Sequence, residues 1–381
     1  MQRFVAVEGL RAWLAWSVVL DHSILAAGLD EQPWLRKLSD IGPISVLVFV
    51  IVSGFVITHL ILEKKDAYAP YILRRWFRIF PLFAVTCVIG ALTMPLYISA
   101  ANRLSWHPAT AGFFQDLIDA QAAHPWAHVI AHLSMLHGAI SDTLLPKASV
   151  TFMPPAWSLS LEWQFYLLAP LVIVIAKKPV GAMLLLLGCT LGFYLSLHGK
   201  FGEFFFVSSF LPRAAPLFAI GIASRFLWPS FAERVPFPSL IAFGAMMFVP
   251  GSPPAIIAVL IWISFYAFVC GSKNANRLDT IVLRVFNQTF TNRIALFFGE
   301  RSYSIYLTHV SVLSLVTYGL AFSGLTRWPF FVLVIISGFA GTAILSIVTY
   351  ALIEKPGMKL GRTLARKVAR VTNQDMIFAP G

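Results

Sequence analysis

Charge is scarce in this sequence. Asp, Glu, Lys and Arg make up 12% of its 381 residues, about half the roughly 25% usual in a soluble domain. That scarcity excludes an ordinary soluble globule and a disordered chain, whose solubility rests on polar and charged residues. Cysteine is nearly absent. Cys87, Cys189 and Cys270 lie in apolar runs, are odd in number and lack metal spacing, which excludes a disulfide scaffold and leaves them as small core residues. No Gly-rich nucleotide loop and no Gly-x-Ser-x-Gly nucleophile elbow occurs. Internal repeats and low-complexity tracts are missing too.

What fills the chain is apolar. Hydrophobic residues reach 58%, aromatics 14%, and mean hydropathy is +0.77. The apolar runs are continuous, unlike the alternation of a membrane β-barrel. Runs such as 41–62 and 329–353 exceed the roughly 20 residues that a helix needs to cross about 30 Å of hydrocarbon. The fold class expected is therefore all-α: a polytopic membrane bundle of about ten transmembrane helices. They are drawn at 4–27, 41–62, 79–100, 157–176, 180–197, 204–228, 237–249, 255–271, 301–320 and 329–353. The first carries Glu8, Arg11, Asp21 and His22, so it reads as a retained helix rather than a cleaved signal peptide.

The net charge of +12 would suggest nucleic acid in a soluble protein, but its placement argues for topology. With the N-terminus inside, 20 of the 29 Lys and Arg fall in inner segments and 6 in outer ones. That asymmetry predicts both termini in the cytoplasm. Residues 1–356 then form one membrane domain, and 357–381 a basic cytoplasmic tail that anchors to lipid headgroups. The outer segment 102–156 is too polar to span and is expected to form an interfacial or re-entrant helix over a cavity mouth.

Ionisable groups inside spans are costly and mark cavities or pathways. Arg11 and His22 lie about 1100° apart on a helix, three turns plus about 20°, hence on nearly one face with a rise of about 16 Å. Both are expected to face one cavity. Arg74-Arg75-Trp76-Phe77-Arg78 brings three guanidinium groups to the inner surface. They are suited either to phosphate oxygens, which Arg binds in bidentate fashion, or to lipid headgroups. Just before it, the small residues of Ser53-Gly54-Phe55 admit a close approach by another helix or a ligand. Pro154-Pro155-Ala156-Trp157-Ser158-Leu159-Ser160-Leu161-Glu162-Trp163-Gln164-Phe165-Tyr166 sets a carboxylate among hydroxyls near the outer surface. Either Glu162 orients His22 or binds sugar hydroxyls, with Ser160 and Tyr166 as substrate-binding candidates beside it, or the segment is an aromatic belt with one hydrogen-bonded Glu. Ser302-Tyr303-Ser304-Ile305-Tyr306-Leu307-Thr308-His309 carries a second intramembrane imidazole. His309 is either a second catalytic or acceptor-binding group, or a structural one. His124, His128 and His132 recur at i, i+4, i+8, but lack Cys and well-placed carboxylates, so no metal is expected.

Together, from Glu8-Gly9-Leu10-Arg11 to Glu354-Lys355-Pro356, these motifs resemble the acyltransferase-3 family of bacterial integral membrane acyltransferases, which acylate hydroxyls of carbohydrates and other exported molecules. The resemblance implies His22 as essential for transfer, either as general base or as transient acyl carrier. It implies Arg75 and Arg78, with Arg74 and Arg11 as further candidates, on the side of an acyl-coenzyme A donor, most simply acetyl-CoA. It also implies a carbohydrate or glycolipid acceptor such as an envelope polysaccharide or lipopolysaccharide, a location in the cell inner membrane, and no nucleic-acid partner. Glu8 stands where relatives commonly carry Asp. Trp163 stands where they commonly carry a second acid, leaving Glu162 as the single candidate carboxylate. Some relatives carry an extra esterase-like domain, so transfer here is expected to finish in the membrane part or with a partner. The rival class is a proton-coupled transporter or flippase of a lipid-linked sugar or small solute.

Overall fold

The computed structural model describes residues 4–29, 31–106, 108–204, 209–234, 253–270 and 277–377. Among these every regular element is helical. Helix α1 spans Val5–Ala26. It stops at Gly28, which takes φ of +67°. Gly28 N–H donates to the Leu25 carbonyl at 3.0 Å and Leu29 N–H to Ile24 at 3.3 Å, the reciprocal pair that closes a helix on a left-handed glycine. A short α2, Pro33–Ser39, leads into α3, Ile41–Lys64.

Helix α4, Tyr68–Arg103, has 36 residues and is about 54 Å long at 1.5 Å per residue. It begins eleven residues before the span drawn at 79, so the arginine cluster rides on a helix rather than in a connecting segment. Pro81 has no N–H, which frees the Phe77 carbonyl one turn earlier. A glycine is needed opposite: a Cβ on Gly357 would lie 2.7 Å from that oxygen.

The segment after α4 folds into α5, Pro108–Ala123, and α6, Pro125–Leu133. Pro125 starts the second helix, so His124 is its N-cap and the three histidines do not share one continuous helix. Next come α7 (Trp157–Ala176), α8 (Pro179–Leu197), α9 (Leu211–Arg234) and α10 (Pro254–Cys270). Beyond them lie α11 (Arg277–Phe290), α12 (Arg293–Glu300), α13 (Ser302–Ala321) and α14 (Arg327–Thr349). A π-helical turn, Tyr350–Glu354, joins α14 to α15, Lys355–Ile377. The described part of the expected basic tail, 357–377, is helical, with Gly361 against Phe77 of α4.

The approach allowed by Gly54 is taken by a helix. A Cβ there would lie 2.5 Å from the Phe218 carbonyl oxygen, and one on Gly221 2.1 Å from that of Ile51, so α3 and α9 cross backbone to backbone. By contrast, α8 buries no residue and exposes Leu184, Leu187 and Leu191, as expected of a helix whose solvent is lipid.

By length and composition, six helical segments among the described residues can cross a membrane: Pro33–Lys64, Tyr68–Arg103, Pro154–Ala176, Pro179–Leu197, Ser302–Ala321 and Arg327–Val371. That is fewer than the ten expected. Charged residues interrupt α1 (Glu8, Arg11, Asp21) and α9 (Arg213, Arg225), and α10 has only 17 residues. The span drawn at 237–249 lies outside the described residues.

Candidate active site

Two cavities lie one above the other along α1. The first, about 260 Å³, brings Glu8, Arg11, Arg75, Arg78, Glu162 and Tyr166 together among apolar side chains. The second, about 480 Å³, contains His22. Val46 of α3 and Tyr306 of α13 line both. The Arg–His stripe of α1 therefore lines two adjoining chambers.

In the first chamber, Arg11 Nη1 sits 3.5 Å from Glu8 Oε2, one turn away. The Arg75 guanidinium lies over the Tyr166 ring at 5.8 Å. Arg78 Nη1 is 3.1 Å from the Met358 sulfur of α15. Arg74 does not join them, because it is ion-paired with Asp66 in the segment just before α4. On a helix, residues i and i+3 share a face while i−1 turns about 100° away, so two of the three guanidinium groups converge.

Glu162 and Tyr166 belong to this chamber rather than to the surroundings of His22. Glu162 Oε1 accepts from Ser53 at 2.7 Å and from the Tyr166 hydroxyl. Helical periodicity explains the grouping: Ser158, Glu162 and Tyr166 follow at i, i+4, i+8. Ser160 is half a turn off that face. Its hydroxyl accepts from Gly138 N–H at 2.9 Å, buried away from both chambers.

At the upper chamber, His22 Nδ1 and His309 Nε2 are 2.7 Å apart, with ring centroids at 4.9 Å. His22 is half-buried and lines the chamber; His309 is fully buried behind it and does not. The remaining His309 nitrogen, Nδ1, lies 3.3 Å from the Ile305 carbonyl, which only an N–H can satisfy. His309 Nε2 then accepts the Nδ1–H of His22, which leaves a lone pair on His22 Nε2. Asp21 turns aside and accepts from Ser39.

Tyr306, one turn before His309, was not singled out from the sequence. Its hydroxyl is 2.8 Å from Ser158 Oγ and donates to the Pro155 carbonyl at 3.0 Å. The i, i+3 spacing of Tyr306 and His309 is the signal that could have found it. Glu354, also outside the expected site, is 1% exposed and accepts from Ser304 at 2.8 Å.

No cluster of three or more His, Cys, Asp or Glu suited to a metal occurs among the described residues. His132 and His137 instead stack face to face at 4.2 Å. Burial pushes the His132 imidazole down to about 4, and His137 also well below its ordinary value.

A family model described as an acyltransferase domain matches residues 4–347. The chain belongs to this acyltransferase family. A Staphylococcus aureus relative named "Putative O-acetyltransferase SACOL0978" is 24% identical over 95% of this chain and 58% of its own length. The chain thus spans less than two thirds of such relatives. "Nodulation protein 10" of Rhizobium leguminosarum bv. viciae is 24% identical over 94% of both chains. "Acyltransferase MdmB" of Streptomyces mycarofaciens is 28% identical over 46% of this chain and 41% of its own. No solved structure matches the chain.

Proposed function

We propose that this protein transfers an acyl group, most simply acetyl, from acyl-coenzyme A in the cytoplasm to a hydroxyl of an envelope glycan or glycolipid. One observation carries this reading: a guanidinium-lined chamber and an imidazole-bearing chamber adjoin along one helix face, with Val46 and Tyr306 lining both. The excess of Lys and Arg on one side of the expected spans supports a reading in which both termini and the arginine chamber face the cytoplasm of a bacterial inner membrane.

Arg75 and Arg78, with Arg11 above them, supply charge-assisted bonds for the donor's phosphates. The pantetheine arm rises past Arg11, a rise of about 16 Å to His22 along the helix. A charged nucleotide does not cross hydrocarbon, so this arrangement lets only the acyl arm travel. His22 Nε2 takes the acceptor hydroxyl's proton as the oxygen bonds to the acyl carbon and the carbon–sulfur bond breaks. The same nitrogen returns that proton to the departing thiolate. His309 holds His22 in the tautomer this step requires.

Acceptor-dependent release of free thiol from acetyl-CoA, measured in membranes holding the full chain, is the test. A transporter would give no such release. Thiol release and acyl incorporation that persist near wild-type rates in His22→Ala would end the proposal.

A further inference from the structure

The chamber beside His22 is far larger than an acetyl group, and its walls are apolar. Leu25 of α1, Phe113 and Phe114 of α5, Trp157 of α7, and Val310 and Leu313 of α13 are among the residues that line it. Tyr97 and Phe114 pack ring to ring at 4.7 Å, bracing the α5 side. Several of the polar side chains present already have partners. Asp21 accepts from Ser39, Ser314 donates to the Val310 carbonyl at 2.9 Å, and Tyr306 donates to Pro155. A strand of polysaccharide entering this space would bury many hydroxyls against carbon, and each unpaired hydroxyl weakens binding.

The volume of about 480 Å³ falls within the roughly 300–1,000 Å³ of pockets that enclose small molecules. From these walls and this volume we infer that the acceptor is an amphipathic alcohol: an apolar body seated among the aromatics, carrying at its edge the one hydroxyl that meets His22. The inference rests on the transferase reading and narrows it from a hydrated glycan strand to the lipid-like or otherwise apolar end of the acceptor range. Affinity should then grow with apolar surface, by up to about fourfold for each methylene fully buried.

The test uses the full chain in lipid nanodiscs and a probe that needs no turnover: octyl β-glucoside with a diazirine at the end of its alkyl chain. After irradiation the labelled residues are mapped, with label on the exposed face of α8 as the internal reference for simple lipid partitioning. Label on Phe113, Phe114 or Leu313 is expected, relative to that reference, and octyl β-glucoside should displace it at least tenfold more effectively than methyl β-glucoside. Phe114→Asp should lower the pocket label at least fivefold; should that variant misfold, the displacement series on the unaltered chain decides alone.

Label confined to α8, or equal displacement by the two glucosides, would overturn the inference. So would displacement by dodecanoyl-CoA but not by octyl β-glucoside, which would assign the pocket to the donor's acyl chain. Failure of the transferase reading is recognised separately, as thiol release indifferent to His22→Ala in a sample whose labelling is intact.

Discussion

Among the described residues two pairs of histidines meet, and they meet differently. His22 and His309 touch edge to edge, nitrogen to nitrogen at 2.7 Å, and one of them opens onto a chamber. His132 and His137 lie face to face at 4.2 Å with planes 4° apart, both buried. In the first pair a chain of hydrogen bonds settles which nitrogen keeps its lone pair. In the second each ring bonds a backbone carbonyl, His132 Nδ1 to His128 at 2.8 Å and His137 Nε2 to Ala156 at 3.1 Å, and the rings stack beside Phe83 as aromatics. The lesson is that an imidazole's neighbours, more than its presence in an apolar segment, separate chemistry from packing.

The comparison breaks most visibly at His22. His22→Ala should lower acyl transfer by roughly 10²–10⁴-fold, the usual contribution of a positioned general base, while His132→Phe should leave the rate near wild type. Equal losses in radiolabelled acetyl incorporation would erase the distinction. His309→Phe comes next. Removing the acceptor of a bond that strengthens as His22 becomes charged should cost roughly 10–100-fold in kcat, with donor KM unchanged and partial rescue by His309→Asn. A rise in KM alone would instead make His309 a binding group.

The lower chamber sharpens the contrast from the opposite direction. Arg75→Gln with Arg78→Gln should raise the KM for acetyl-CoA by about tenfold or more and change kcat less. Titration of initial rates with donor measures this, and an unmoved KM would reassign both arginines to topology.

The smallest effect concerns acid stability. His132 is held near 4 by burial, against about 6.5 for the unfolded chain. Between those values the unfolded state binds the extra proton. The stabilising contribution is therefore complete above pH 6.5 and is lost as pH falls toward 4, by about 3 kcal/mol at most. Thermal melting of the full chain should drop more steeply between pH 7 and 5 than that of His132→Phe; parallel curves would mean that His132 protonates freely in the fold.

Much of the architecture was legible beforehand. The helical class follows from unbroken apolar runs, and the α1 stripe follows from helical arithmetic on Arg11 and His22. The boundaries of α4 were not legible, because Arg74, Arg75 and Arg78 read locally as the end of a span, yet the helix runs through them from Tyr68. The assignment of Ser160 and Glu162 to one site overlooked that alternate helical residues point apart. Asp66 claimed Arg74 although their chain separation gives no hint that they would pair. The partnership of His22 with His309 joins residues 287 positions apart, beyond the reach of any local pattern.

Composition and periodicity by themselves determined that this chain is a bundle of apolar helices with a few charged and imidazole side chains on chosen faces. Both depend only on each residue and its near neighbours, through hydrophobic transfer and the 100° step of the helix. Which faces meet depended on backbone approach at positions such as Gly54 and Gly221 and on the crossing of α1 with α13. Tertiary packing therefore decided that the stripe serves two adjoining chambers, that Tyr306 and Val46 line both, and that the imidazole above is held by a second one.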